Sequence, residues 1–226
     1  MLAYAIGIGA FAAMARRRGL ATDGIAYLAG AGLLGGAIGA QAMQSIVGGV
    51  PGKSLLGGVA CGYLAVVYAK HRLGIRRPTG DLFAVALAAG EAVGRFGCFF
   101  AGCCYGKVTT LPWGVYEHGA LRHPTQLYSA AAAALTLLVL VVLERRGTLA
   151  ENGIFYVQGA LMCAFRFAVD FARDVPVLAG GLTTAQFAAA LGFAFFAWRF
   201  AVLVRRAAAS PLAVPSPVRA FAARLV

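Results

Sequence analysis

Residues Gly94-Arg95-Phe96-Gly97-Cys98-Phe99-Phe100-Ala101-Gly102-Cys103-Cys104-Tyr105-Gly106 set an arginine, three thiols and four glycines against a strongly apolar stretch. A charge at membrane depth costs about 2.5–3.5 kcal/mol on insertion scales, so it marks a functional site by default. A guanidinium presents a planar fork that matches phosphate oxygens. A thiol beside such a cation, at a helix end, is a candidate nucleophile because its thiolate is favoured there. Downstream, Leu121-Arg122-His123-Pro124-Thr125-Gln126-Leu127-Tyr128 opens the next apolar run. His123 precedes a proline, which biases it away from helix, and Pro124 suits the first turn that follows. His123 is therefore either a general base or a brace for the helix start.

Two further pairs have helical spacing. Glu91 and Arg95, and likewise Arg166 and Asp170, stand four apart, so each pair can meet on one helix face. Such pairs either fix helix packing or hold an arginine ready for an anion. Buried pairs seldom repay their desolvation, which favours the second reading for the arginines. Glu91 is explained as well by simple pairing with Arg95. Together Arg95, Arg122, Arg166 and Arg173 suggest binding of an anionic phospholipid head group, with Gly97, Gly102 and Gly106 offering backbone N–H groups at a helix end.

Among the five cysteines, Cys61 and Cys163 sit alone in apolar spans and are expected to pack. For Cys98, Cys103 and Cys104 three chemistries compete. The Cys-x4-Cys-Cys spacing, with no histidine close in sequence, is not a usual zinc pattern, so no metal is expected. A disulfide is allowed at an oxidising outer face, although adjacent cysteines bridge only with strain. A reactive thiolate is the third.

These residues need a membrane scaffold to position them. Of the 226 residues, 61% are hydrophobic and 12% charged, which excludes an ordinary soluble domain. The net charge of +12 does not imply nucleic acid, because the basic residues fall in short clusters between apolar spans. The expected fold is an all-α polytopic membrane protein. Its seven spans are Met1–Ala15, Thr22–Val47, Leu55–Ala69, Leu82–Cys104, Thr125–Leu143, Gly153–Phe171 and Thr183–Val204. Glycines on the second, third and fourth spans are expected to let helices approach closely. Alternate loops and the tail carry thirteen lysines and arginines against four opposite, Lys53, Lys107, Arg122 and Arg173. The positive-inside rule then places the N-terminus outside, the C-terminus in the cytoplasm and both motif blocks at the outer face. The N-terminal run carries its charges after the apolar residues, so a cleavable signal is not expected. One membrane domain is expected over residues 1–206, with a cytoplasmic tail at 207–226.

At these motifs the chain resembles the prolipoprotein diacylglyceryl transferase family. The resemblance covers about a third of the chain, from Gly94 to Arg173. It rests on Gly94-Arg95-Phe96-Gly97, Phe99, Gly102, Tyr105-Gly106, Leu111-Pro112-Trp113, Arg122-His123-Pro124, Gln126-Leu127-Tyr128, Phe165-Arg166-Phe167, Asp170-Phe171 and Arg173. It implies a bacterial inner-membrane enzyme moving a diacylglyceryl group from phosphatidylglycerol to the thiol of a lipoprotein precursor, with glycerol phosphate leaving. The arginines matching Arg95 and Arg166 hold the head group in that family, and the acid matching Asp170 pairs with the latter. Departures are clear. Cys98, Ala101 and Cys103 stand where the family has two asparagines and a glutamate, Lys107 replaces an arginine, Ser129 a glutamate, and Leu56 a histidine.

The expected lipid-binding set is thus Arg95, Arg122, Arg166, Asp170, Gly97, Gly102 and Tyr128. The expected catalytic set is Cys98, Cys103 and His123, with no cofactor and with phosphatidylglycerol and a thiol acceptor as partners. The alternatives are a non-catalytic lipid-binding or assembly protein of the same fold and a membrane thiol redox protein.

Overall fold

The structure, a computed structural model, describes residues 1–20, 22–47 and 55–209. Its elements in chain order are α1 (Leu2–Arg17), α2 (Asp23–Val47), α3 (Leu55–Arg72), α4 (Gly80–Phe100), β1 (Val115–Glu117), β2 (Ala120–Arg122), α5 (Thr125–Arg146), α6 (Gly153–Asp170) and α7 (Thr184–Ala209). The expected tail is described only as far as Ala209, within α7. Arg219, Arg224, Lys53 and the side chain of Leu56 lie outside the described residues.

Among the described residues four helices are long and apolar enough to cross a membrane: Asp23–Met43, Gly80–Phe100, Thr125–Arg146 and Thr184–Ala209. Together with the helical content, they support the class of helical membrane protein. Large apolar side chains such as Leu138 on α5 and Leu191, Phe195 and Trp198 on α7 are exposed, as a helix facing lipid requires.

Two compact units are present. One holds residues 11–78, and the other holds residues 1–10 with the chain from Thr79 onward. Within the first, α2 and α3 approach backbone to backbone. A Cβ on Gly39 would stand 2.2 Å from Cys61 Cβ and 2.4 Å from the Gly57 carbonyl oxygen, so the pairing needs the missing side chain. This is the close packing that the glycine spacing predicts.

In the second unit α4 is fastened at its start to α6. The Asp81 carboxylate accepts from the backbone N–H groups of Asn152 (3.0 Å) and Phe155 (2.9 Å), while Asn152 Oδ1 accepts from Gly80 N–H at 3.1 Å. Asp81, Leu82, Ala84, Leu140 and Ile154 are buried around this fastening. The start of α7 is set by a reciprocal cap. Gln186 N–H donates to Thr183 Oγ1 (3.1 Å), and Thr183 N–H donates to Gln186 Oε1 (2.9 Å). The same Gln186 amide donates to the Phe167 carbonyl (3.2 Å), tying α7 to α6.

Two local features differ from the sequence reading. The fourth helix ends at Phe100, not at Cys104, because Gly102 (φ 61) and Cys104 (φ 60) take left-handed backbone that no α-helix continues through. The chain also inserts an antiparallel hairpin, β1 with β2, paired Val115↔Arg122, Tyr116↔Leu121 and Glu117↔Ala120. Its two-residue turn, His118 (φ 49) and Gly119 (φ 78), has positive φ at both positions, the geometry that matches strand twist. Pro124 is the cap of α5, one residue before its first turn.

Candidate functional site

The turn after α4 brings three thiols together. Cys98 is on the last turn of the helix, and the chain reverses through left-handed Gly102, with Cys103 N–H donating back to the Cys98 carbonyl at 3.1 Å. The Sγ atoms of Cys98, Cys103 and Cys104 all lie within 4.8 Å of one another. All three are free thiols, Cys103 exposed and the other two half-buried.

Three successive carbonyls of this turn are held by side chains from the hairpin and from α5. His118 Nε2 meets the Gly102 oxygen at 2.7 Å. Gln126 Nε2 donates to Cys103 O at 2.8 Å, and Thr125 Oγ1 donates to Cys104 O at 2.6 Å. Gln126 also reaches both carboxylate oxygens of Glu117, at 3.3 and 3.4 Å. The His118 ring stacks on Tyr105, with centroids 4.3 Å apart. A non-glycine residue in left-handed backbone, as Cys104 is, persists when its surroundings over-determine it.

Beyond the thiols, residues 105–109 are stitched between two other segments. Gly106 N–H donates to His123 O (3.1 Å), His123 N–H to Lys107 O (3.0 Å), and Thr109 N–H to Leu121 O (2.9 Å). On the other side Lys107 N–H donates to Ala172 O at 2.8 Å. Gly106 is the crossing point: a Cβ there would sit 2.5 Å from His123 O and 2.7 Å from Ala172 O. Arg122 braces the weave. Its Nη1 donates to Gly106 O (3.1 Å) and to Asp174 Oδ2 (2.8 Å), and its guanidinium lies 4.8 Å from the Tyr105 ring centre.

This weave sets the end of α6 beside the end of α4. Arg95 pairs with Glu91 at 2.8 Å, and Arg166 with Asp170 at 2.9 Å. Arg173 approaches the same Asp170 oxygen at 3.8 Å, and Thr183 Oγ1 donates to the other. Asp170 is buried, whereas the Arg166 side chain keeps 26% of its surface accessible. Arg95, Arg166 and Arg173 are close enough to Cys104 for their charges to act on it, and Arg95 and Arg173 act on Arg166 as well. The Cys104 thiol, past the helix end, is drawn down to about 5. A hydrogen bond from Cys98 is the largest cause, opposed by burial and helped by Arg173, Cys103 and Arg95. Burial pushes the neighbouring Cys103 thiol upward instead.

The structure therefore gathers Arg95, Arg166, Asp170, Cys98, Cys103 and Gly102 from the expected binding and catalytic sets, together with Cys104 of the thiol cluster and Arg173 of the anion-binding arginines. Gly97 has open space where a Cβ would be. His123 and Tyr128 form a separate group: His123 Nδ1 lies 3.3 Å from Tyr128 Oη, which accepts from Trp113 Nε1 at 2.8 Å. Among the described residues, no hydrogen bond or ion pair joins the His123 ring to a thiol or a site arginine. Arg122 is taken up by Asp174 and Gly106. His118 and Glu117 were not singled out for the site, although the His118-Gly119 pair is itself a turn signal.

The chain is similar to the phosphatidylglycerol–prolipoprotein diacylglyceryl transferase of Geobacter sulfurreducens, 34% identical over 170 residues, covering 71% of this chain and 64% of the relative. The enzymes of the same name from Campylobacter hominis (32% over 124 residues, 51% and 44% covered) and Wolinella succinogenes (35% over 112 residues, 47% and 40% covered) are also similar. The chain thus spans less than two thirds of the length of each of these relatives. The family profile of prolipoprotein diacylglyceryl transferase matches residues 1–202. With a match over nearly its whole described length, the chain belongs to the prolipoprotein diacylglyceryl transferase family.

Proposed function

We propose that the protein is a phospholipid-dependent transferase that moves a diacylglyceryl group from phosphatidylglycerol to the thiol of a lipoprotein precursor or a related acceptor. The observation that carries this reading is the meeting of Arg95, Arg166 and Arg173 beside a thiol cluster at the ends of two apolar helices. In the proposed reaction the acceptor sulfur bonds to the glyceryl carbon. The bond from that carbon to the phosphate oxygen breaks, and glycerol phosphate leaves with the electron pair. Charge grows on the departing phosphate, and guanidinium groups already in place stabilise it without reorganisation.

Arg95 and Arg166 are assigned to the phosphate, and Asp170 to orienting Arg166. Gly97 leaves open space for the head group, whereas Gly102 has its N–H bonded to Phe99 O and its carbonyl to His118 and is assigned to shaping the turn. Arg122 is assigned to holding the weave, and Tyr128 with His123 to the wall beside it. Cys98 and Cys103 stand in the polar positions of the family block and are assigned to the acceptor side. Seven helices crossing the membrane, with the N-terminus outside, would put this site near the outer face of a bacterial inner membrane.

The test uses the purified protein in phosphatidylglycerol-containing nanodiscs with a lipoprotein-precursor peptide. Mass spectrometry reads lipidated peptide and released glycerol phosphate. The reading expects both products, and expects Arg166→Ala to abolish both. Turnover that survives Arg166→Ala, or a wild-type protein that yields neither product, overturns it.

A further inference from the structure

The three thiols have a property that their sequence spacing hides. Cys-x4-Cys-Cys looks wrong for a metal when read along the chain. In the fold, the end of α4 and the left-handed turn at Gly102 and Cys104 fold the spacing back on itself. Sulfurs sharing one tetrahedral zinc, each at about 2.3 Å, stand about 3.8 Å apart. The Sγ atoms here all lie within 4.8 Å of one another, so side-chain rotations that close them by about 1 Å at most bring them onto one ion. The backbone need not move, because His118, Gln126 and Thr125 already hold the carbonyls of Gly102, Cys103 and Cys104. Such outer contacts are what orient ligands in metal sites.

Charge fits as well. Three thiolates around a divalent ion carry one net negative charge. Arg95, Arg166 and Arg173, set against Glu91 and Asp170, supply one net positive charge around them. An all-sulfur donor set selects soft ions over magnesium or calcium. Three protein ligands is also the number found where zinc keeps a position for a reactant, while structural zinc has four.

We propose that Cys98, Cys103 and Cys104 bind one soft divalent ion of the zinc type through three thiolates, leaving a position for the acceptor thiol. The metal site stands on the thiol geometry alone; the role of the open position rests on the transferase reading. A thiol that coordinates such an ion loses its proton, here to water, and becomes a nucleophile at neutral pH. The same sulfur then takes the glyceryl carbon, and the electrons of the broken bond leave on phosphate. This supplies activation at a site where cysteines replace the polar residues of the family block.

The experiment reads metal binding by the protein in nanodiscs, and lipid transfer by the same preparation is assayed separately. Zinc is titrated against a chromophoric chelator, and cobalt(II) is used as a spectroscopic substitute. One zinc per chain is expected in the wild type and in the Cys61→Ser/Cys163→Ser variant. Stoichiometric binding is expected to be lost in Cys103→Ser and in Cys98→Ser. Gln126→Leu, which keeps all three ligands, is expected to weaken binding by about 10–100-fold. The wild-type cobalt complex should show sulfur-to-cobalt charge transfer, and a cysteine-containing acceptor peptide should intensify it where a serine peptide does not. Absence of stoichiometric zinc, or zinc that survives removal of all three thiols, overturns the site. A bound ion whose spectrum ignores the cysteine peptide overturns the acceptor role. A metal-loaded protein that transfers no lipid instead overturns the transferase reading and leaves the site standing.

Discussion

Gln126 donates one amide to the Cys103 carbonyl at 2.8 Å and sets the same nitrogen within 3.4 Å of the Glu117 carboxylate, so one buried side chain ties the thiol turn to the hairpin. Gln126→Leu keeps most of the volume and removes the donor. The bond is part-buried, so its loss costs about 0.5–1.5 kcal/mol. The expected outcome is a lower midpoint of thermal unfolding in detergent, with Cys103 alkylated faster than in the wild type. Unchanged alkylation would mean that the turn holds its shape without Gln126.

Gly106 is the second point at which this site is vulnerable. An added methyl must displace the His123 and Ala172 carbonyls, both of which belong to the stitched backbone. Forcing extra volume into a packed position costs about 1–3 kcal/mol, occasionally more. Gly106→Ala should therefore reduce the yield of monodisperse protein and lower its unfolding temperature, and Gly106→Val should do so more strongly. Gly97→Ala, with open space around it, serves as the neutral comparison for stability.

Arg166 and Asp170 are not equivalent partners. Removing Arg166 leaves the buried Asp170 with Arg173 at 3.8 Å and the Thr183 hydroxyl, whereas Asp170→Asn leaves two guanidinium groups facing a neutral amide. Breaking a buried pair from the side that strands charge costs about 3–5 kcal/mol. Asp170→Asn is thus expected to destabilise more than Arg166→Ala, while both lose lipid turnover. Arg166→Lys should keep stability and lose most turnover, because an ammonium lacks the bidentate fork. Unfolding midpoints and glycerol phosphate release together check the order.

At the start of α7 the reciprocal cap makes a paired prediction. Gln186→Ala removes one half of the box and also the tie to the Phe167 carbonyl, and should cost at least about 0.5–2 kcal/mol. Thr183→Val removes the cap and also the hydroxyl that Asp170 accepts from, so its cost should be comparable. A smaller effect for Thr183→Val would show that Asp170 finds another donor.

Much of the scaffold was legible in the sequence because apolar runs and arginine spacing are local signals. A helix lies at each of the seven apolar runs, four of them among the described residues long and apolar enough to cross a membrane, and the pairs Glu91–Arg95 and Arg166–Asp170 form as their four-residue spacing allows. The thiol geometry was not legible. It depends on a left-handed turn after α4 and on Thr125 and Gln126, more than twenty residues downstream, and no periodicity reports a reversal of that kind. The hairpin was missed because its strands are three residues long, though the His118-Gly119 turn was there to be read. Arg122 was read as a ligand from its charge, which could not foretell that the fold also gives it Asp174 and a backbone oxygen.

The arrangement around Asp170 has a consequence for the proposed transfer. An arginine that must grip a passing anion has to let go of its resting partner, and a lone carboxylate left behind in an apolar interior would pull it back. Here the carboxylate has a second cation and a hydroxyl beside it, so in the proposed reaction Arg166 would be released at little penalty and recaptured when the product departs. Asp170 would then be a parking place for the guanidinium, with the ease of each cycle set by the three residues around it.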